Sequence, residues 1–200
     1  MIDVGFPSGT GLSGCVALVI GATEGLGRAV ARLFAAQGAS IAVSFRTDYK
    51  SAKSLVDEIR SDGGRALAVP GDARTPEGAW ATARYVEQEW VQIDVLLHAA
   101  GLVGLDEVAA DPMPFVSELA PGMQERGWGR MVIFQVVDAI AESDQYRQWG
   151  GKGLMINTVA VPRHAPTSCI NEAARAGLFL GSAWNAGITG AQLNVCSNDG

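Results

Sequence analysis

At 200 residues, with 48% apolar and 18% charged side chains, the chain can bury one sizeable core and is too apolar to be disordered. Its net charge of −6 argues against nucleic acid or an anionic membrane as the main partner, since both reward clustered Lys and Arg. No apolar run approaches the length of a membrane span, and the first residues lack a basic-then-apolar signal pattern. Cys15, Cys169 and Cys196 are odd in number and lack metal spacing, which fits reduced thiols, and the two histidines suggest no metal site. The expectation is a single cytoplasmic domain over residues 1–200, without metal, in which the Gly- and Ser-rich residues 1–14 form a loose leader.

Val16 to Ile20 is short and apolar on both faces, as a parallel strand buried between helices would be. Gly21-Ala22-Thr23-Glu24-Gly25-Leu26-Gly27 follows it directly, and then Leu26, Val30, Leu33 and Phe34 fall on one helical face, closed by Gly38. Glycines at 21, 25 and 27 let the chain turn sharply, and the orphan N–H groups at the helix start favour an anion. Strand, glycine turn and helix in this order predict a site for the pyrophosphate of a dinucleotide.

Ser40 to Phe45 reads as a second strand with Arg46 at its carboxyl end. In dinucleotide folds an acidic residue at that point binds the ribose hydroxyls, whereas an Arg accommodates a 2′-phosphate, so Arg46 favours NADP(H). Ala52, Leu55, Val56 and Ile59 give the next helix its apolar stripe, and Gly63-Gly64 ends it. Ala66 to Pro70 is a third strand, followed by Gly71-Asp72-Ala73. Thr75-Pro76-Glu77 starts a helix lined by Ala79, Ala83, Val86 and Trp90, with Thr as cap and Pro at the first helical position. Asp94 to Leu97 is a fourth strand running into His98-Ala99-Ala100-Gly101.

Beyond this point Pro112, Pro114 and Pro121 leave little room for a long regular helix, because an interior Pro costs about 3 kcal/mol. Met131 to Val137 is a fifth strand and Leu154 to Ala160 a sixth, with barely a crossover's length between them. Asn171 to Leu180 is helical, and Gly187 to Val195 holds a last strand. Gln135, Asp138, Tyr146 and Lys152 are the candidate catalytic groups, all capable of hydrogen bonding or proton transfer.

The glycine turn, the Asp72 turn, the His98–Gly101 block and the Gly187–Val195 ending together resemble the short-chain dehydrogenase/reductase family, over nearly the whole chain and most strongly in its first hundred residues. His98 and Ala99 stand where the family has two asparagines, and a histidine there also resembles ketoreductase domains of polyketide synthases. The resemblance implies a doubly wound α/β parallel sheet, with shortened fourth and fifth crossovers, and a cofactor at the carboxyl ends of the strands. It also implies an NADP(H) site on Gly21, Thr23, Glu24, Gly25, Leu26, Gly27, Arg46, Asp72, Ala73, Ala99, Ala100 and Gly101. Within it Asp72 would receive the adenine amino group, and His98 would hydrogen-bond to hold neighbouring strands.

The family's catalytic set does not carry over. Val136 stands at the position of its serine, Gly150 lies four residues after Tyr146 where a lysine belongs, and no asparagine lies near Val108. Three readings follow. One is an enzyme on a small carbonyl or polyketide-like substrate with non-standard chemistry such as isomerisation, cyclisation or dehydration. Another is an NADPH-dependent ketoreductase with a reorganised donor, Tyr146 first in line. The third is a non-catalytic NADP(H)-binding partner protein. Any homo-oligomer would need an interface other than the family's usual one, which uses the long helices that are cut short here.

Overall fold

A computed structural model describes residues 9–23, 25–100, 111–136, 146, 148–163 and 165–196. The elements in chain order are β1 (Val16–Ile20), α1 (Gly25–Ala36), β2 (Ser40–Phe45), α2 (Tyr49–Ser61), β3 (Arg65–Pro70) and α3 (Pro76–Trp90). After them come β4 (Val95–His98), α4 (Met113–Arg126), β5 (Gly129–Val136), β6 (Leu154–Val161), α5 (Thr167–Gly181) and β7 (Gln192–Asn194). The strands form one sheet in the order β3-β2-β1-β4-β5-β6-β7, parallel at every pairing. The expected doubly wound α/β sheet is the observed fold, and the strand order reverses between β1 and β4, where such sheets open a crevice for ligands.

Two apolar layers sandwich the sheet. Alternate residues of the strands, such as Val19, Ile41, Leu97 and Val132, pack with Phe34 of α1, Leu55 of α2 and Leu178 of α5. The other set, including Leu18, Leu96, Met131 and Ile156, packs with Ala83 of α3 and with Phe115 and Met123 of α4. Every residue of β1 is buried, as its unbroken apolar run requires. The helix signals act where the sequence places them. Thr75 accepts a hydrogen bond from the Gly78 N–H at 3.0 Å at the start of α3, and the Gly64 N–H closes α2 by donating to the Ile59 carbonyl at 2.9 Å.

Four expectations change. The described part of the supposed leader is held, since Leu12 and Thr10 are buried and the Thr10 carbonyl accepts from the Ala183 N–H at 3.0 Å. The prolines do not suppress α4. Pro114 falls in the first turn, where a missing N–H costs nothing, and burial of Phe115, Val116, Leu119 and Met123, each worth about 1.5–3 kcal/mol, outweighs the roughly 3 kcal/mol of Pro121. The fourth connection, residues 99–128, is therefore longer than the first or second, while the fifth, residues 137–153, is short. Finally, Cys169 at the start of α5 and Cys196 just after β7 form a disulfide with their Cα atoms 5.8 Å apart, so of the three thiols expected to be reduced only Cys15 is free. Among the described residues no helix is long and apolar enough to cross a membrane.

Candidate functional site

The glycine turn lies at the carboxyl end of β1 and packs on the end of β4. Gly21 has φ +78°, and a Cβ there would stand 2.8 Å from the backbone of Ala99 and Ala100. A Cβ on Gly27 would stand 2.1 Å from the Gly21 carbonyl oxygen, so the first turn of α1 can close on the strand end only without one. The Ala99 N–H donates to the Ile20 carbonyl at 2.9 Å, fixing the two strand ends together. Gly21, Thr23, Gly25, Leu26, Gly27, Ala99 and Ala100 lie near the amino end of α1; Glu24 and Gly101 lie outside the described residues. Among the described residues the first turn of α1 carries no acidic side chain, and the N–H groups and positive dipole end of a helix start suit a phosphate group.

Arg46 and Asp72 leave adjacent strands side by side, since Phe45 is paired with Pro70 and the Gly71 N–H donates to the Phe45 carbonyl at 3.0 Å. Asp72 does not stand alone. Arg74 grips its carboxylate as a fork, Nε to Oδ1 at 2.8 Å and Nη2 to Oδ2 at 2.7 Å, and the Arg74 N–H donates to Oδ1 at 3.1 Å. These bonds, with the nearby charge of Arg46, hold Asp72 far below the usual carboxylate range. Ala73 completes this turn, half-buried against the core. The glycine turn at the start of α1 suits the pyrophosphate of a dinucleotide.

Among the described candidate catalytic residues, Gln135 and Lys152 stand at opposite edges of the sheet. Gln135, at the carboxyl end of β5, donates from Nε2 to Gln192 Oε1 at 3.4 Å, and Gln192 in turn donates to Asn194 Oδ1 at 2.8 Å. Lys152 occupies the turn that enters β6, with φ +48°, and so lies at the opposite, amino-terminal edge of the sheet. Tyr146 is buried in the α4-side layer with Phe115, Met123 and Leu154, as a core residue would be. Asp138 lies outside the described residues.

Sequence reasoning passed over the Gln192 and Asn194 amides and Arg74. The signal for Arg74 was available, two residues after an Asp in a tight turn. The His98 side chain ends β4 and is buried, and its Nε2 has no hydrogen-bond partner among the described residues. Burial pulls its pKa down to about 4, against a smaller opposing pull from Asp111. A groove of about 530 Å³ also opens between α2, α3 and β3, lined by Phe45, Tyr49 and Tyr85 among others, and none of the glycine-turn residues borders it.

A strand–glycine-turn–helix at the point where strand order reverses, with basic residues at the next two strand ends, defines a dinucleotide-binding α/β protein. The family model for short chain dehydrogenases matches residues 15–114, and the chain belongs to that family. It is 37% identical over 101 residues to a short chain dehydrogenase of Pseudocercospora fijiensis, covering 50% of this chain and 32% of that one. It is 28% identical over 167 residues to an uncharacterized oxidoreductase of Methylorubrum extorquens, covering 84% and 64%. The chain thus spans less than two thirds of the length of either relative. Among solved structures, a 7α-hydroxysteroid dehydrogenase in complex with NADH and 7-oxo glycochenodeoxycholic acid superposes with a TM-score of 0.80 at 21% identity, over 94% of each chain, which shows the shared fold.

Proposed function

We propose that this chain is an NADP(H)-binding member of the family whose chemistry, on a small carbonyl or polyketide-like substrate, does not use the family's serine, tyrosine and lysine. The observation that carries the cofactor half is the placement of Arg46 beside Asp72 and Arg74 at the carboxyl ends of β2 and β3, on the same edge as the glycine turn. There α1 would hold the pyrophosphate and Arg46 the 2′-phosphate. When bound, the nicotinamide supplies hydride chemistry.

The burial of Tyr146 in the core and the placement of Lys152 at the far edge carry the chemical half. General acid–base assistance is typically worth 10²–10⁴-fold, so reduction of simple ketones should be slow by at least that factor. At the carboxyl edge the neutral amides of Gln135, Gln192 and Asn194 can orient a substrate carbonyl by hydrogen bonds, without themselves supplying or taking a proton. The same burial of Tyr146 supports a second reading, a non-catalytic protein that binds NADP(H) and a partner.

Fluorescence titration with NADPH and NADH tests the cofactor half. Arg46→Asp should weaken NADPH at least tenfold and leave NADH nearly unchanged, because it replaces a phosphate partner with a like charge. Equal affinity of the native protein for both cofactors would defeat the NADP(H) reading. Brisk NADPH oxidation with simple ketones would defeat the chemical one.

A further inference from the structure

Two guanidiniums and one carboxylate share the turn at the ends of β2 and β3. A lone carboxylate at Asp72 would repel the dianionic 2′-phosphate that Arg46 attracts, and the two would nearly cancel. Arg74 changes that sum. Its fork takes both oxygens of Asp72 at 2.7 and 2.8 Å, which leaves the Arg46–Asp72–Arg74 cluster at net +1 rather than neutral.

The turn that carries this pair is fixed from behind. Thr75 caps α3 directly after Arg74, and a Cβ on Gly78 would stand 2.0 Å from the Asp72 carbonyl oxygen, so the helix start presses on the Asp72 backbone. A third bond, from the Arg74 N–H to Oδ1 at 3.1 Å, fixes the carboxylate from the backbone as well. Asp72 and Arg74 therefore meet in a preset geometry, both partly open to solvent and to a ligand.

We infer that Arg74 is a specificity-determining residue for the phosphorylated cofactor, acting by masking the Asp72 carboxylate so that a 2′-phosphate can sit beside Arg46. The inference deepens the NADP(H) reading above and rests on it. It separates two roles that the turn would otherwise set in conflict. Asp72 still offers lone pairs outside the fork to an adenine amino group, while its charge no longer opposes the phosphate.

The test compares the native protein, Arg74→Gln and Asp72→Asn/Arg74→Gln by fluorescence titration with NADPH and NADH, with adenosine 2′-monophosphate as a competing probe. Unmasking one charge beside a dianion near the surface predicts roughly tenfold weaker NADPH and adenosine 2′-monophosphate binding in Arg74→Gln, with NADH within twofold. The double variant should recover NADPH affinity, because the repelling carboxylate is gone along with its mask. Equal weakening of NADPH and NADH, no change at all, or no recovery in the double variant would each overturn the inference. Equal affinities in the native protein would sink the NADP(H) reading alone, since Arg74→Gln would still have to move the ratio toward NADH. A native protein that binds neither cofactor would overturn both. Circular-dichroism melts that match the native curve show that each variant is folded when titrated.

Discussion

Mild acid should destabilise this protein through His98, and the effect can be isolated by His98→Leu. The folded imidazole has a pKa of about 4, because burial penalises its charged form, whereas an unfolded histidine titrates near 6.5. The sign follows from proton counting. Above pH 6.5 both states are neutral and His98 adds no pH dependence. As pH falls from 6.5 toward 4, the unfolded chain takes up a proton that the folded one refuses, and stability drops by about 1.4 kcal/mol per pH unit. The full loss is roughly 3 kcal/mol by pH 4, a large share of the 5–15 kcal/mol typical of a domain. Leucine fills a similar volume and removes a buried nitrogen that has no partner among the described residues, so His98→Leu should be as stable as the native protein at pH 7.5, or about 1 kcal/mol more stable. Urea midpoints measured at pH 7.5, 5.5 and 4.5 decide the matter. The native curve should fall faster than the variant's as pH drops, and a constant gap between the two would refute the reasoning, because His98 would then be protonated equally in both states.

Two further outcomes are expected. Arg130 is buried, stacks on Trp128 and donates to the carbonyls of Gly129, Gly153, Ser182 and Asn185, so Arg130→Lys, which cannot span four acceptors, should lower the urea-derived stability by about 2–4 kcal/mol. The Cys169–Cys196 bridge closes a sequence separation of 27 residues, for which chain entropy predicts about 3.5 kcal/mol; Cys169→Ser, or reductant on the native protein, should show a loss of that order, and alkylation of the denatured protein should count one thiol before reduction and three after.

The cofactor half of the fold was legible because its signals are local. Val16–Ile20 is apolar on both faces because β1 lies inside the sheet, Thr75 caps the helix it precedes, and the glycines mark a turn that must close on a strand end. Where reading failed, a distant contact decided. Proline propensity lost to the burial of one face of α4 against β5 and β6, and no local pattern announces that residues 169 and 196 will meet once β7 adds to β6. Tyr146 is the instructive case. As a sequence feature it is a phenol near the place where the family keeps one. In the structure it fills the layer under α4, and Trp149 beside it accepts from Gln124 of α4 at 2.7 Å through its backbone carbonyl. The described aromatic residues of the fifth connection, Tyr146 and Trp149, pack in this layer.

The two halves of the site therefore bear different kinds of information about function. Gly21 and Gly27 touch backbone that belongs to the fold itself, Ala99 and Ala100 in one case and the Gly21 carbonyl in the other, so a side chain at either would disrupt β1 and α1 with or without a ligand. Their presence is what packing requires. Arg46 and Arg74 are exposed and contribute no apolar burial, and exposed ion pairs add little to stability, so the fold would form with other residues in their places. Charges that folding does not demand, set at the strand ends beside a helix start that favours phosphate, are the part of this site that speaks for a ligand. That is why the titrations of Arg46 and Arg74 variants, rather than any change to the glycines, can separate an NADP(H) site from a turn kept only for its packing.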